Sequence, residues 1–333
     1  YETYLGLTDA DFEANPYRRY AASQRGLMDW WRSQAQVGYF LGAGELIEFQ
    51  ATAYRHDFSR AWEKFNAFRG GPSNYDILAD GSGQAAIYLG ILRGEEDSTD
   101  SDQALLIGTN ARNYVSQGLQ NVLRISPRTE YVDQNIEIGA RIHYDTIRRN
   151  HTEEGYLMTS GVLVPEGGDP DQTALNRGTA IAGAFHLHDE IVFIERFTLS
   201  PGARVELIKT EYRDFVSRTS SEAFNPVFVP GVGAHAVATP WLGFLAGVHS
   251  GFSPVAPGQA EDVKPERSVN YEAGFRLSGE PLRGFSGEAI GFYNDYSNLT
   301  GECTFAQGCD DTNIGNQFNA GEVRVAGAEE IGR

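Results

Sequence analysis

The feature that most constrains this chain is alternation of apolar and polar residues, sustained over segments long enough to cross a bilayer as tilted strands. From 135 to 146, Ile136, Ile138, Ala140, Ile142 and Tyr144 fall on one face, and Asn135, Glu137, Arg141, His143 and Asp145 fall on the other. Successive side chains of a strand point to opposite faces, so the segment has one oily face and one charged face. The pattern recurs at 267–278, where Val269, Tyr271, Ala273, Phe275 and Leu277 oppose Ser268, Asn270, Glu272, Arg276 and Ser278. It recurs again at 46–56 (Ile47, Phe49, Ala51 and Ala53) and at 179–188 (Ile181, Phe185 and Leu187). It is looser at 111–126, 203–214 and 284–297, where Ile208 and Ile290 fall on the polar face.

Together these signals predict strands at 27–41, 45–58, 111–126, 134–148, 175–190, 194–214, 227–238, 241–252, 267–279, 284–297 and 319–329. Each reaches or exceeds the roughly 9–11 residues that a tilted strand needs to span a membrane. Their connections alternate in length. Gly42-Ala43-Gly44, Thr239-Pro240 and Gly279-Glu280-Pro281 read as tight turns, whereas 59–110, 148–174, 215–226, 253–266 and 299–318 read as long polar loops. Within 59–110, short helices are expected near 75–80 and 85–89. A soluble sandwich has no reason to gather its long loops at one end. An outer-membrane barrel has short periplasmic turns and long external loops. Lipid offers no partner to free backbone groups, so such a sheet must close. Aromatics near strand ends (Trp30, Trp31, Trp62, Tyr144, Tyr212, Trp241, Phe252, Tyr293 and Tyr296) are candidates for interfacial girdles, or simply reflect β-propensity. The expected fold is therefore all-β: an antiparallel transmembrane β-barrel, of which the eleven segments above make up an incomplete portion.

Composition narrows the function. No run of about 18 apolar residues exists, which excludes a transmembrane helix. The net charge of −18 argues against nucleic acid, because phosphate binding needs a basic face. Abundant Gly (38), Tyr (16) and Phe (19) against two Met favour strands over helix bundles. Neither Tyr1-Glu2-Thr3-Tyr4 nor Glu329-Glu330-Ile331-Gly332-Arg333 reads as a natural terminus, so an internal stretch of a longer protein is expected. Cys303 and Cys309 sit in a polar segment without His, which points to a loop disulfide in an oxidising compartment rather than a zinc site.

Motifs for enzyme chemistry are weak. Gly231-Val232-Gly233-Ala234-His235-Ala236 lacks the last glycine of the dinucleotide fingerprint. His186 and His188 share a strand face, but polar residues are the ordinary lining of a barrel lumen, so no metal site is assigned. Glu95-Glu96-Asp97 and Glu153-Glu154 read as solvated loop charge. No enzyme activity and no cofactor are expected.

Several segments resemble TonB-dependent outer-membrane receptors, in particular the ferric dicitrate branch. Lys264-Pro265-Glu266-Arg267-Ser268-Val269-Asn270-Tyr271-Glu272-Ala273-Gly274 is the most specific. Glu2 to Phe12 with Asn15-Pro16-Tyr17-Arg18-Arg19-Tyr20, Leu106 to Gly118, Gly247 to Pro254, and Phe292 to Leu299 followed by the cysteine pair and Gln317-Phe318-Asn319 are similar to that branch as well. The resemblance runs over nearly the whole chain. It implies a 22-stranded barrel of which this chain is about half, without the plug domain and the box that contacts TonB. It also implies active uptake of a ferric siderophore, ferric citrate or a similar carboxylate chelate. The TonB complex would be engaged through an N-terminal region absent here, and loops such as 59–110 would close over ligand. Outer-membrane lipid and lipopolysaccharide would surround the wall. Rival readings are a passive porin-like or structural barrel, or uptake of another siderophore, a sugar or a cobalamin.

An anionic chelate needs locally concentrated arginine, whose planar fork binds carboxylates bidentately. Candidates are Arg18, Arg19, Arg69, Arg112, Arg148, Arg149 and Arg177, with Arg69 and Arg112 favoured because they bracket the longest loop. The bland alternative for each is a pairing with a nearby loop carboxylate.

Overall fold

A computed structural model describes residues 5–79, 81–260, 262–279, 282, 284–303 and 316–333. Period two sets the architecture. The strands are β1 (Leu27–Ala43), β2 (Ile47–Phe68), β3 (Leu105–Ile125), β4 (Val132–Thr159), β5 (Val162–Pro165), β6 (Asp171–Phe193) and β7 (Phe197–Asp214). They continue as β8 (Thr219–Thr239), β9 (Leu242–Ser253), β10 (Glu266–Leu277), β11 (Gly287–Ser297), β12 (Thr300–Glu302), β13 (Gln317–Asn319) and β14 (Val323–Gly332). The helices are α1 (Asp9–Ala14), α2 (Asn74–Ala79) and α3 (Gly83–Arg93). Twelve strands form one antiparallel sheet in which chain neighbours pair in order from β1 to β11 and then β14, with β5 attached beside β4. β12 and β13 form a small separate sheet. β1 and β14 are the open edges of the large sheet.

All eleven predicted long strands are present. The short β5, β12 and β13 were not foreseen, and several boundaries move outward. β2 runs on to Phe68, β3 begins at Leu105 and β4 reaches Thr159, so much of the segments read as loops 59–110 and 148–174 is strand. The loop expected at 215–226 shrinks to a turn at 215–218. The reason is physical. β4 is 28 residues long, roughly 90 Å of strand at about 3.3 Å per residue, far more than a bilayer requires. Beyond the membrane both faces are wet, the alternation fades, and backbone pairing alone carries the hairpins onward. The helices expected near 75–80 and 85–89 appear as α2 and α3.

Register fixes which side each residue faces. Leu119 pairs with Ile142, Tyr144 with Ile181, Phe185 with Val205, and Val205 with Phe228. These residues form an outer apolar band that no described residue covers: Ile142 is 67% exposed and Phe228 63%. On a water-soluble protein such a surface would be an association site; here it is the lipid-facing wall. The other face carries Glu137, Arg141, His143, Asn270 and Glu272. Ile208 and Ile290 do lie on this inner face, opposite Asn225 and Gly274. The girdle expectation needs correction. Trp31, Tyr144, Phe252 and Tyr293 face outward, but Trp30, Trp62, Tyr212 and Tyr296 share the inner face and cannot meet lipid.

The main buried core lies in the external loops, not between sheets. Leu89, Ile91 and Leu92 of α3 pack with Tyr20 and Ala22 against Phe65, Leu105, Ile107, Tyr156 and Met158. By register these strand residues share the outer face. α3 therefore seats on the outer side of the projecting strands rather than over the bore, so the lid role expected for 59–110 does not fit this arrangement. Asp11 locks the cluster. It is 5% exposed and accepts hydrogen bonds from Tyr20 Oη (2.5 Å), Arg93 Nη2 (2.7 Å), Arg18 Nη1 (2.8 Å) and Thr8 Oγ1 (3.1 Å). Burial works to raise its carboxyl, but the hydrogen bonds from Tyr20, Arg93 and Thr8 outweigh it and hold the group below its ordinary value.

Candidate functional site

Three of the predicted arginines are engaged in the loop structure. Arg69 forms a two-pronged pair with Glu166, Nη1 to Oε1 at 3.0 Å, and also donates to the Ser101 carbonyl at 3.1 Å. That hydrogen-bonded pairing raises Arg69 and lowers Glu166. Arg18 bridges Asp11 and Glu95, each at 2.8 Å. Arg19 donates to the Ser23 carbonyl at 3.3 Å. Cys303 is disulfide-bonded; the expected partner, Cys309, lies outside the described residues.

Arg112 is placed differently. On the inner face it stands directly opposite Arg60 of β2 and Arg149 of β4, so three arginines from adjacent strands form one row. Cross-strand neighbours have Cβ atoms about 5 Å apart, and like charges there repel. Among the described residues no carboxylate oxygen lies within 4.0 Å of a side-chain nitrogen of any of the three. Arg112 Nε donates to His151 Nε2 at 3.2 Å. The Nε atoms of Arg60 and Arg149 are buried without a hydrogen-bond partner. One same-face step below the row lie Phe58 and Tyr114, with ring centroids 5.6 Å apart. One step above lie Trp62 and His151, with the Lys64 ammonium over the Trp62 ring at 5.7 Å. The nearest inner-face acid above, Glu153, is held by Asn66 Nδ2 at 2.7 Å.

The rest of the inner wall makes this row distinctive. Arg124 pairs with Glu137 at 2.8 Å, and Arg204 with Glu206 at 2.6 Å. His186 meets Glu137 at 3.0 Å. Arg141 donates to Tyr54 Oη at 3.0 Å, which in turn meets His143 Nδ1 at 2.6 Å, and His143 Nε2 meets Asp145 at 2.6 Å. Gly118 permits that last network, because a Cβ there would stand 2.6 Å from Tyr54 Oη. Cations elsewhere on the face have internal partners, while among the described residues Arg60, Arg112 and Arg149 form no ion pair within 4.0 Å, and Glu302 acts on Arg149 only from beyond that distance. Buried N–H donors left unmade and like charges held side by side are both unfavourable. An anion between aromatic rows would relieve both. His186 and His188 belong to no group of three or more metal-ligating side chains among the described residues.

Arg148 and Arg177, also candidates, fall on the outer face directly opposite one another. They cannot meet a ligand in the bore. Arg60 was missed because it sits in the segment read as loop. Its parity with Glu48, Gln50, Thr52 and His56 was the available signal.

An antiparallel meander with a lipid-exposed outer band, a polar inner wall and loops gathered at one end defines a wall of an outer-membrane β-barrel. A family model described as "TonB dependent receptor-like, beta-barrel" matches residues 1–329, and the chain belongs to that family, whose members reside in the bacterial outer membrane. No curated protein sequence matches it. Among solved structures, the ferric citrate transporter FecA in its unliganded form superposes with a TM-score of 0.70 at 17% identity, covering 98% of this chain and 42% of that one. The siderophore receptor PiuA from Acinetobacter baumannii gives 0.68 at 12% identity, covering 92% and 44%. The ferric-catecholate import receptor Fiu from E. coli K12 in its closed form gives 0.62 at 13% identity, covering 98% and 48%. The chain thus spans less than half the length of these structures, and at such identities the likeness is one of fold.

Proposed function

We propose that this chain forms part of the wall of an outer-membrane receptor that takes up an anionic ferric siderophore, ferric citrate or a similar carboxylate chelate, with energy supplied through TonB. The observation that carries this reading is the unpaired inner row of Arg60, Arg112 and Arg149. Three guanidinium forks on adjacent strands match a ligand bearing several carboxylates, because each fork binds one bidentately. A protein with a net charge of −18 repels anions at long range, so a compact cationic row is what such a ligand needs at contact. The receptor family membership supports the transport class. The name of FecA supports citrate only as one instance of the fold's use. The wall acts as scaffold and binding surface, not as catalyst. Coupling to the TonB complex is proposed through a region of the parent receptor that these residues do not include.

The test is equilibrium binding of ferric citrate to the full-length receptor, with a neutral hydroxamate chelate of iron as comparison. Wild type is expected to bind ferric citrate and prefer it to the neutral chelate. The double variant R112Q/R149Q is expected to lose that preference. Equal binding of both chelates by wild type and variant would overturn the anionic-ligand reading. A passive pore predicts ferric citrate flux in vesicles without TonB.

A further inference from the structure

Arg112 is held by a neighbour that can itself bind an anion. His151 of β4 stands on the inner face one step above the arginine row, directly opposite Asn110 of β3 and Ala174 of β6. It is half-buried. Along β4 it lies nine residues beyond the lipid-facing Ile142, roughly 20 Å higher at about 3.3 Å per residue and a tilt near 45°, and so outside the bilayer. The Nε of an arginine is a donor only, and Arg112 Nε donates to His151 Nε2 at 3.2 Å. That contact settles the ring. Nε2 carries no proton, so the imidazole is neutral with its hydrogen on Nδ1.

The surrounding charges explain why it is neutral. β2 presents Arg60 and Lys64, β3 presents Arg112 and β4 presents Arg149, all on the same face. β6 offers the neutral Ala174 at this height, and its Asp171 lies farther up, opposite Glu153 of β4. Glu153 is held by Asn66. Glu302 of β12 acts on Arg149 from beyond contact. Among the described residues no carboxylate oxygen lies within 4.0 Å of the His151 ring nitrogens. Burial, and then the field of Arg112, Arg149, Arg60 and Lys64, hold the ring down to about 4 from its ordinary 6.5. An anion lodged against the row alters this balance. Its charge offsets the cation field on the ring, and its oxygens compete with Nε2 for the Arg112 hydrogen.

We propose that His151 is a further ligand-binding residue of the anion site: as the chelate enters, Arg112 turns its Nε hydrogen from the ring to the ligand, a solvent proton joins Nε2, and the imidazolium donates that hydrogen to the same ligand. This rests on the anionic-ligand reading above. One proton is taken up for each chelate bound. The complex then holds more protons than the empty receptor, so affinity rises as pH falls. The window runs from the ordinary value of 6.5 down to about 4. Above it the ring is neutral with or without ligand, and below it charged in both states. Within it, affinity changes by up to about tenfold per pH unit.

The experiment is titration calorimetry of the full-length receptor with ferric citrate at about pH 5, inside that window, in paired buffers of different ionisation enthalpy, which counts the protons taken up per chelate. The chelate's own protonation is common to all variants and cancels in their difference. Wild type is expected to take up close to one proton more than H151Q and H151N, and its affinity should fall about tenfold more than theirs on raising the pH to about 6.5. A merely structural histidine would change affinity without changing the proton count. If ferric citrate binding needs Arg112 and Arg149, but wild type and both His151 variants take up equal numbers of protons, the proposal is overturned and the anionic-ligand reading stands. If wild type binds ferric citrate no better than R112Q/R149Q does, both fall. Heat-modifiable gel migration checks that the variants fold. If neither His151 variant does, the ring-nitrogen magnetic resonances of the wild-type histidines decide, with diamagnetic gallium citrate as ligand: one neutral ring must become doubly protonated on binding, and no such change overturns the proposal.

Discussion

Replacing Arg149 by Gln should weaken ligand binding and stabilise the empty barrel, a pairing of effects that a structural arginine would not produce. In the free state Arg149 faces Arg112 across the ladder, and its buried Nε has no partner. Removing a directly opposed like charge recovers about 0.2–1 kcal/mol. Removing an unmade buried donor recovers part of about 1–3 kcal/mol, the part depending on how the shorter amide settles. A net gain of roughly 1–2 kcal/mol in the empty receptor follows. With an anionic chelate bound, the same substitution deletes a charge-assisted contact of about 1.5–3 kcal/mol, which weakens affinity roughly 10- to 150-fold. The assay is paired: denaturant unfolding of the full-length receptor without ligand, and titration with ferric citrate. If R149Q were less stable than wild type and bound ferric citrate equally well, Arg149 would be a structural residue and the reasoning from unpaired charge would fail.

Three further expectations follow from the fold. The depressed Asp11 carboxyl contributes stability that is complete above the ordinary value of 3.8 and is lost as pH falls through its lower folded value. Amide protection in 5–26 and 83–93, exchange measured relative to the intrinsic rate at each pH, should therefore hold from neutral pH down to about 4 and fall below it, and Asp11→Asn should be poorly protected throughout. Ile142→Arg, on the bare outer band, should destabilise the membrane-inserted receptor by about 2–4 kcal/mol, read by refolding into vesicles; Ala184→Gln on the inner face should change it by less than about 1 kcal/mol. Ile194 holds φ 47° in the β6–β7 turn, a left-handed conformation that disfavours a β-branched residue. Ile194→Asn should stabilise the receptor by about 1 kcal/mol, and a loss of stability on denaturant unfolding would refute the strain.

The alternation of Ile136 to Tyr144 and of Val269 to Leu277 determined the class of fold without help, because a side chain's face depends only on its own strand's parity. That is why all eleven long strands and the outer-membrane assignment were legible in one dimension. Strand extent was not, since above the bilayer both faces are wet and Phe65, Leu105 and Met158 follow loop packing instead. Nor was the candidate site. Arg60, Arg112 and Arg149 are far apart along the chain, and only register across β2, β3 and β4 sets them side by side. Parity alone split Arg148 from Arg149, but which neighbours each would meet, and whether any carried a negative charge, was decided by pairing between strands distant in sequence.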